Sequence, residues 1–591
     1  MIICNFPPKI SYNLNMSLSE KKLIRPLPFG ISEFTKVIDN SCYYSDKTLL
    51  VKKLLDLKTE VILFTRPRRF GKTLNMTMLR TFFEKRMDGK DTTHYFKDLA
   101  IWQAGEKYTS EQGKRPVIYI TFKDIKSLSY ESAIEEIHKN ISREYDRHGE
   151  LSNSQNLSER DISLYKSIVF GNASSKDYST SFQTLSDLLY KHHGIQPMII
   201  IDEYDTPIQT ANEYGYCEEM VSFMRIFLSS AFKDNPSLYR GILTGITRVS
   251  KESIFSGLNN LKVDTIFDED FSDSFGLTTS EVSDILDFYD IPNKKEEVAH
   301  WYDGYMFGNT EIYNPWSMIS YLDNRCIAKP YWVNTSANGL VGQALEMLDK
   351  NDRTLLENLI TGGTVEKKLN TNVVYPEITK KSAAAYSLLA QTGYLKSIHT
   401  ELYGGEMICT LKIPNRELKT IYYNEIIDRF IQDETAGEKA YELHRAISKG
   451  NAEKIEQLVQ DYLMSSLSFH DLTEEKDYHN VFLGLVYIAT DNYSIKSNRE
   501  SGEGRYDIAM FPKRNNLPGI IFELKHYKAE ESEKSDKIKL EKSLEKTAEE
   551  ALKQIESNEY LTELKEAGAS PIFKYGAAFC GKKAKVIRKS E

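Results

Sequence analysis

Four short apolar segments stand out in the first half of the chain, and each of them ends in a polar or glycine-containing turn. They are VILF at 61–64, VIYITF at 117–122, MIIIDEYDTP at 198–207 and GILTGITRVS at 241–250. Continuous apolar runs that are rich in β-branched residues predict strands buried on both faces, as in a parallel sheet. The segment LNMTMLRTFFEKR at 74–86 instead carries apolar residues at helical spacing. The pattern therefore predicts an α/β fold built on a parallel sheet.

The pattern changes in the rest of the chain. From Phe275 to about Asp433 aromatic clusters such as WYDGYMFG and IYNPWSMISYL predict a mainly helical middle region. Further on, GRYDIAMFPKRNNLPGIIFELKHYK at 504–528 contains two apolar runs around a polar Pro/Asn/Gly turn, which predicts a β-hairpin. The mixed-charge run at 529–550 predicts a solvated helix or loop. The closing GKKAKVIRKS predicts a solvated tail.

Length and composition limit the functional classes. The 591 residues exceed one hydrophobic core, and 41% hydrophobic with 27% charged residues is typical of a soluble globular protein. Net charge is −9, so contact with nucleic acid requires local basic patches. Six cysteines without CxxC pairs argue against a zinc site and favour a reducing compartment. No leader peptide or membrane span is expected. We therefore expect a cytoplasmic protein, and a homo-oligomer stays open.

A phosphate-binding motif follows the first apolar run. VILFTRPRRFGKT reads as strand, short loop, Gly71-Lys72-Thr73 and helix. In such a loop the backbone N–H groups and the helix N-terminus hold an anion, Lys72 reaches the terminal phosphates, and the Thr73 hydroxyl can bind Mg²⁺. The alternative is an arginine-rich loop before an ordinary helix.

The loop departs from the usual pattern at one position. The residue five before Gly71 is Arg66 rather than glycine, and Arg68 and Arg69 follow it. Guanidinium groups bind phosphate in a bidentate manner, so we expect Arg66 or Arg68 to contact phosphate in place of the missing glycine turn. Arg66 and Arg69 are both counted among the expected nucleotide ligands.

Polar residues at the ends of two later apolar runs complete the expected site. Asp202 would hold the Mg²⁺ shell, and Glu203 would polarise an attacking water. Thr244, Thr247 and Arg248 end the next run, at the sheet edge where ligands of open α/β sheets bind. A polar residue there can sense the γ-phosphate. Arg248 could stabilise transition-state charge, or it could equally pair with a carboxylate at the sheet edge.

These motifs carry a specific resemblance. PFGISEF, YYSDKT, RPRRFGKT, IIIDEYDTP and LTGITRVSKESIFSGLNNL together resemble the AAA-ATPase-like family, a divergent relative of the signalling (STAND-type) P-loop ATPases, over roughly residues 25–310. That family carries RPRRFGK itself, so the resemblance implies that Arg66 is inherited. It further implies a P-loop NTPase domain at 25–270 that binds ATP and Mg²⁺, followed by a helical lid or winged-helix-like region at 271–433.

The predicted hairpin near the C-terminus carries a second set of candidate residues. Side chains alternate along a strand, so Glu523 and Lys525 share one face, and a turn near 515–516 brings Asp507 opposite Glu523 to within a residue. Two carboxylates could bind Mg²⁺ or Mn²⁺, and the lysine could offset charge on a phosphate. A chance Asp…Glu-x-Lys match on an exposed hairpin is the alternative.

The spacing and the Glu-Leu-Lys triplet resemble the PD-(D/E)XK nuclease superfamily, although Tyr506 replaces the proline. The resemblance implies a restriction-endonuclease-like α/β domain over 434–591. A preceding helix could add the metal ligand Glu475, for which Glu474 or Asp477 could substitute.

Together the motifs predict a two-part enzyme. An ATP-binding and ATP-hydrolysing switch module would be fused to a divalent-metal-dependent nuclease acting on DNA or RNA. The alternative is a signalling or binding protein that holds nucleotide without hydrolysis and binds nucleic acid without cutting it. Intact Asp202 and Glu203, together with Asp507, Glu523 and Lys525, favour the enzyme. Arg66 favours the protein that holds nucleotide without hydrolysis.

Overall fold

The computed structural model describes most of the chain from residue 25 to residue 590. The residues that it does not describe within this span are 86–88, 248–253, 256–257, 333–354, 356–357, 360–361, 371–381, 423–435, 467–477, 480–481, 483–484, 487–491, 502–503, 515, 530–532, 534–535 and 558–560.

The N-terminal part is built on a five-stranded parallel sheet, as predicted. Its strands are β1 (Val61–Thr65), β2 (Val117–Thr121), β3 (Met198–Asp202), β4 (Arg240–Gly245) and β5 (Leu261–Asp264). Their order across the sheet is β2-β3-β4-β1-β5, and every neighbouring pair is parallel. The sequence predicted the first four strands but gave no signal for β5 or for the insertion of β4 between β1 and β3.

Helices cover both faces of this sheet. They are α1 (Phe34–Asp39), α2 (Leu49–Asp56), α3 (Lys72–Phe83), α4 (Ala100–Gln103), α5 (Glu106–Thr109), α6 (Tyr130–Arg147), α7 (Glu159–Val169), α8 (Ser175–Ser179), α9 (Ser181–His193), α10 (Thr206–Tyr214) and α11 (Cys217–Phe232). Successive strand residues pack into different cores: Ile62 and Phe64 join one cluster, and Val61 and Leu63 join the other. This double burial explains why the strands appear as continuous apolar runs.

The described part of the middle region mixes strands and helices, so the prediction of a mainly helical region was wrong for these residues. It contains the strands β6 (Leu277–Thr278), β7 (Tyr305–Phe307), β8 (Thr310–Tyr313), β9 (Val365–Leu369), β10 (Lys396–Tyr403) and β11 (Glu406–Lys412). They form two three-stranded sheets, β6-β8-β7 and β10-β11-β9. The helices with assigned bounds in the described part of this region are α12 (Thr279–Phe288), α13 (Lys295–Tyr302), α14 (Pro315–Asp323) and α15 (Ser382–Gln391), and residues 416–422 are helical as well. The four strands β6 to β9 have only two to five residues each, which is too short for an alternating pattern to be recognised.

One hydrophobic cluster crosses the predicted boundary at residue 270. Phe70 of the phosphate loop packs on Tyr305 and Phe307, with ring centroids 4.9 and 5.3 Å apart. The same cluster continues to Tyr422. The domain division at 270 and 433 stays a prediction, because the packing joins the first two parts.

The C-terminal part is built on a second five-stranded sheet of order β12-β13-β14-β15-β16. Its strands are β12 (Tyr493–Ser501), β13 (Gly504–Pro512), β14 (Gly519–His526), β15 (Ile572–Cys580) and β16 (Lys583–Ser590). Only β14 and β15 pair in parallel. The predicted hairpin is confirmed as β13 and β14, whereas the expected solvated tail is strand β16.

Among the described residues, the helices with assigned bounds beside this sheet are α16 (Ala436–Lys449), α17 (Ala452–Ser466), α18 (Lys537–Ser557) and α19 (Thr562–Glu566). One face of the sheet joins a core with residues of α16 and α17, and the other face packs on α18. The mixed-charge run thus ends in a long helix. Within the described part of the chain, no helix is both long and apolar enough to cross a membrane.

Candidate nucleotide and metal sites

The loop between β1 and α3 has the backbone of an anion site. Gly71 has φ of +80°, a left-handed conformation that glycine adopts without strain, and Lys72 is the first residue of α3. Lys72 Nζ donates to the carbonyl oxygens of Arg66 and Pro67 at 3.1 and 3.0 Å. Burial lowers the pKa of Lys72, and nearby carboxylates led by Glu203 oppose that shift. The ammonium therefore lies inside the loop, within reach of an anion bound there.

Thr73 and Asp202 meet at the carboxyl edge of the sheet. The Thr73 hydroxyl donates to Asp202 Oδ2 at 2.8 Å, and the Thr244 hydroxyl donates to Oδ1 at 2.6 Å. Asp202 is fully buried, and burial raises its pKa. Because β4 lies next to β3 in the sheet, its Thr244 reaches the neighbouring Asp202 and orients the carboxylate.

Glu203 follows Asp202 in a strained backbone conformation. Its φ is +53°, which is unusual for a residue with a side chain. Its amide donates to the Thr244 hydroxyl at 3.2 Å, and the Thr206 hydroxyl donates to Glu203 Oε2 at 3.4 Å. Backbone strain of this kind is concentrated at functional sites, where neighbouring contacts hold it.

Arg66 does not point into the phosphate loop. Its guanidinium is fully buried and pairs with Asp264 of β5, with Nη2 to Oδ1 at 2.5 Å. It also stacks on the rings of Phe275 and Phe307, at 5.1 and 5.2 Å from their centroids. The guanidinium of Arg66 is therefore engaged with Asp264 and is not directed at a bound phosphate. This placement does not support the expectation that Arg66 contacts phosphate.

The other two loop arginines remain near the site. Arg69 has φ of +69°, and its guanidinium lies 4.3 Å from the Trp316 ring centroid on α14. Burial lowers the pKa of Arg69, and Glu203 raises it. Arg68 Nη2 donates to Gln209 Oε1 at 3.2 Å. Arg69 is therefore the loop arginine that lies close to both Glu203 and the middle region.

Asp205 is a site residue that the sequence analysis missed. It is fully buried, and its Oδ2 accepts from the amides of Ile246 and Thr247 at 2.9 and 3.0 Å and from Gln209 Nε2 at 2.8 Å. Burial raises its pKa. Asp205 thereby fixes the segment directly after β4, which contains Ile246 and Thr247. The sequence did contain a signal for it, namely the aspartate that ends the segment Asp-Glu-Tyr-Asp at 202–205.

An apolar cavity of about 90 Å³ adjoins the loop. It is lined by Gly71, Leu74 and Asn75 of the loop and α3, by the lead-in residues Leu27, Pro28, Tyr43 and Tyr44, and by Met318, Ile319 and Leu322 of α14. Its position beside the helix start and its apolar walls suit a flat base. Lys47 and Asp46 of the lead-in have structural contacts: Lys47 pairs with Glu281 at 2.6 Å, and Asp46 accepts from Thr48 and Ala100.

The C-terminal site follows the register of β13 and β14. Ile508 pairs with Phe522, which sets Asp507 opposite Glu523. Asp507 Oδ2 accepts from the Leu524 amide at 2.7 Å. Glu523 is only 4% exposed, and Lys525, two residues on, is half-buried on the same face. The register places the three residues at neighbouring positions of β13 and β14, and their convergence on one metal site stays a prediction.

The surroundings of Glu523 are closely packed. Gly576 of β15 lies opposite Glu523, and a Cβ built on Gly576 would clash with the carbonyl oxygen of Ala548 on α18. The backbone of Asp507 is also contacted: His479 Nε2 lies 3.2 Å from the Asp507 carbonyl oxygen and 3.1 Å from the Ser497 hydroxyl. The candidate carboxylates are thus held on a rigid sheet covered by a helix.

Two expected site residues, Arg248 and Glu475, lie outside the described residues, as do Glu474 and Asp477. The described residues contain no cluster of three or more His, Cys, Asp or Glu side chains suited to a metal ion. The donors that are present do fit Mg²⁺, which prefers oxygen ligands. They are Thr73 with Asp202 at one site and Asp507 with Glu523 at the other.

The fold and these sites define a P-loop nucleotide-binding domain joined to a nuclease-like mixed sheet. Comparison with known families agrees: residues 28–255 match the family described as predicted AAA-ATPase, and residues 473–589 match the PD-(D/E)XK nuclease superfamily. One similar protein is the "Uncharacterized protein in vnfD 5'region" of Azotobacter chroococcum mcd 1. It is 25% identical over 424 residues, which cover 70% of this chain and 72% of that protein.

Proposed function

We propose that residues 25–270 bind ATP with Mg²⁺ and hydrolyse it, and that residues 434–591 cleave phosphodiester bonds of DNA or RNA with a divalent cation. The observation that carries the first half is the 2.8 Å hydrogen bond from Thr73 to Asp202, which joins the two expected Mg²⁺ ligands. The register that sets Asp507 opposite Glu523 supports the second half. We also propose a cytoplasmic location, since all five described cysteines are free thiols.

In the nucleotide site each residue has a separate role. Lys72 exchanges the two loop carbonyls for phosphate oxygens, because its buried ammonium gains more from an anion than from neutral acceptors. Arg69 supplies a second positive charge beside Glu203. Glu203 orients the attacking water and accepts its proton, while Thr244 holds Asp202 in place. The cavity beside Gly71 takes the base.

In the nuclease site the protein supplies two carboxylates and one ammonium. Asp507 and Glu523 provide the oxygen ligands, and Lys525 orients the attacking water and offsets negative charge on the phosphate. Divalent cations at the two sites supply charge neutralisation and, for cleavage, a more acidic water. Because the carboxylates sit on paired strands, their spacing is fixed before substrate arrives.

Calorimetric titration with ATP and Mg²⁺ tests the nucleotide site. Lys72→Ala should lose binding while the protein stays folded. Lys58→Ala removes an exposed lysine before β1, at the opposite end of the strand from the loop, and should bind as wild type does. Glu203→Gln should retain ATP and slow its hydrolysis. Equal ATP affinity in wild type and Lys72→Ala would remove the phosphate-loop assignment.

Cleavage assays on single- and double-stranded DNA and RNA with Mg²⁺ or Mn²⁺ test the second site. Asp507→Ala and Glu523→Ala should lose nearly all cleavage, because each removes a metal ligand. Lys525→Ala should reduce it by orders of magnitude and still bind substrate in Ca²⁺. Glu549→Ala and Lys537→Ala, both exposed on α18, are the matched controls. If wild type cuts none of these substrates, the non-cleaving binding protein becomes the better description.

A further inference from the structure

A chain of side-chain hydrogen bonds links the phosphate loop to the first turn of α10. Arg68 Nη2 donates to Gln209 Oε1 at 3.2 Å, and Gln209 Nε2 donates to Asp205 Oδ2 at 2.8 Å. Arg68 and Gln209 are half-buried, and Asp205 is fully buried. The roles proposed above for the nucleotide site make no use of this chain.

Asp205 anchors one end of the chain. Its Oδ2 also accepts from the amides of Ile246 and Thr247, at 2.9 and 3.0 Å, directly after β4. The Tyr204 hydroxyl donates to the Thr247 carbonyl oxygen at 2.9 Å. Two residues that follow β3 thereby hold the segment after β4 by its backbone, so the Asp205 carboxylate has a fixed position at the carboxyl edge of the sheet.

The Gln209 amide has one defined orientation in this setting. An ionised carboxylate only accepts hydrogen bonds, so the amide nitrogen of Gln209 faces Asp205. Gln209 follows Asp205 by four residues, the spacing at which side chains on a helix are neighbours. The amide oxygen is then presented to the Arg68 guanidinium, whereas the reversed amide would direct its N–H groups at a cation. Asp205 therefore determines which end of the amide meets Arg68.

The contact between Arg68 and Gln209 bridges the end of β4. Arg68 follows β1, Gln209 belongs to the helix after β3, and β4 lies between these two strands. Neighbouring strands are about 4.8 Å apart, so the two long side chains together bridge about 10 Å. The Arg66 amide donates to the carbonyl oxygen of Gly245, the last residue of β4, at 3.1 Å, which fixes the start of the loop there.

The terminal phosphate of a bound nucleotide has to lie at this same edge. The loop and Lys72 hold the anion from the β1 side, and the attacking water approaches from Glu203 on the β3 side. A phosphoryl group between them lies at the end of β4, where the Arg68 guanidinium is held. A guanidinium has five N–H donors in a planar fork and binds phosphate more strongly than a neutral amide. One hydrogen bond to Gln209 is therefore compatible with a contact to phosphate.

We propose that Arg68 contacts the terminal phosphate of bound ATP, and that Gln209, oriented by Asp205, is the positioning residue that holds the guanidinium there. This inference rests on the proposed nucleotide site. In hydrolysis the water oxygen bonds to the γ-phosphorus, the bond to the β–γ bridging oxygen breaks with its electron pair leaving on ADP, and Glu203 takes the proton from water. Arg68 offsets the negative charge on the transferred phosphoryl oxygens during this step.

The variant Arg68→Met tests the phosphate contact, because only the triphosphate carries a γ-phosphate. In calorimetry with Mg²⁺, the Kd for the non-hydrolysable analogue adenylyl imidodiphosphate should rise by about tenfold or more, while the Kd for ADP changes by less than about twofold. The kcat for ATP hydrolysis should fall by about a hundredfold. Arg68→Lys should recover little of this loss, since an ammonium lacks the planar fork. Arg160→Met, which removes an exposed arginine from α7, should behave as wild type does.

A double-mutant cycle tests the positioning role of Gln209. Gln209→Met alone should lower kcat by about tenfold, and adding it to Arg68→Met should change kcat little further, because the amide acts through the guanidinium. Gln103→Met, which changes an exposed glutamine at the end of α4, is the control. A general loss of structure would instead give additive effects and would weaken ADP binding as well.

The inference is overturned if Arg68→Met changes the affinities for ADP and for the analogue alike, or changes neither. Additive effects in the cycle overturn the positioning role of Gln209. A wild type that binds the analogue without hydrolysing ATP removes the proposed hydrolysis, and the ratio of the two Kd values then still decides the role of Arg68. A wild type that binds neither nucleotide overturns the nucleotide site and this inference together.

Discussion

Arg66 and Asp264 form an ion pair in which both side chains are fully buried. Burial lowers the pKa of Arg66 and raises that of Asp264, and each partner opposes the shift of the other. The pair joins the phosphate loop to β5, the strand at the edge of the sheet. An arginine at the position usually occupied by glycine thus has a structural partner rather than a place in the anion site.

Removing one partner of this pair should be costly. Asp264→Ala should lower the free energy of unfolding by about 3–5 kcal/mol, because it leaves the guanidinium buried without its charge partner. The double change Arg66→Met with Asp264→Leu should recover most of that loss. Asp273→Ala, which breaks the more exposed pair with Lys53, should cost about 1 kcal/mol or less. Urea unfolding measures the free energy of unfolding of all three variants. If Asp264→Ala loses no more stability than the control variant Asp273→Ala, the Arg66–Asp264 pair is not desolvated in solution.

Glu417 is a buried acid that should make stability depend on pH. It is fully buried, it accepts from the Trp332 amide and from the Ser317 hydroxyl at 2.8 Å each, and burial raises its pKa from 4.5 to about 7. Between pH 4.5 and 7 the folded state therefore binds more protons than the unfolded state, so stability falls as pH rises through this window.

The variant Glu417→Gln should remove that dependence. Relative to wild type it should gain up to about 3 kcal/mol between pH 4.5 and pH 7.5, the amount that corresponds to the pKa shift. Thermal unfolding midpoints of both proteins, measured at half-unit pH intervals, provide the check. A constant difference between the two across this range would contradict the assigned protonation of Glu417.

Some site residues could be predicted from local sequence and others could not. Lys72, Thr73 and Asp202 follow directly from apolar runs and their end residues, and the structure brings them together. The partner of Arg66 lies 198 residues away, so no local pattern could indicate it. The mutual approach of Arg69 and Trp316 depends in the same way on the packing of α14 against the loop.

At the scale of elements, the C-terminal sheet depends on the close approach of α18. Gly576 has no side chain at the point where the helix backbone crosses β15 opposite Glu523. The hairpin of β13 and β14 was predictable because its turn residues lie between two apolar runs. The strand β16 was not, since five of its residues from Lys583 to Ser590 are charged or polar and only Ala584, Val586 and Ile587 indicate a strand.

Adding one methyl group at this crossing should test the packing. Gly576→Ala should force α18 away from the sheet and lower the free energy of unfolding of the C-terminal part by about 1–3 kcal/mol. Cleavage should fall with it, because Glu523 lies directly opposite. Gly149→Ala, at a position where a Cβ meets nothing within 4 Å, is the control. Calorimetry and the cleavage assay should both distinguish Gly576→Ala from Gly149→Ala. If Gly576→Ala has the stability and cleavage activity of wild type, α18 does not pack closely on β15.

At the scale of the whole molecule, the ATPase-like part and the middle region share one hydrophobic cluster. Phe70, Tyr305 and Tyr394 belong to it, together with strands of both parts. The sequence suggested a boundary near residue 270 because the apolar pattern changes there. A change in the apolar pattern along the chain indicates a change of local structure. It does not indicate which elements pack against each other.

A fragment of residues 25–270 should therefore be poorly folded. It would expose the faces of Phe70 and its neighbours that Tyr305 and Phe307 cover, and we expect it to bind a hydrophobic dye and to unfold without a sharp transition. A fragment of residues 25–435 should unfold cooperatively. Near-ultraviolet circular dichroism separates the two outcomes, and a cooperative transition in the shorter fragment would support the predicted boundary instead.

The phosphate loop is held at two points by chain that comes more than two hundred residues later. Phe70 lies on the rings of Tyr305 and Phe307, and the Pro67 ring lies against Gly393. A loop clamped in this way has little room to reshape when a ligand arrives, so most of the ordering cost is met during folding. Nucleotide association should then occur in a single step. The observed association rate should rise in proportion to the nucleotide concentration, and no slow second kinetic phase should follow.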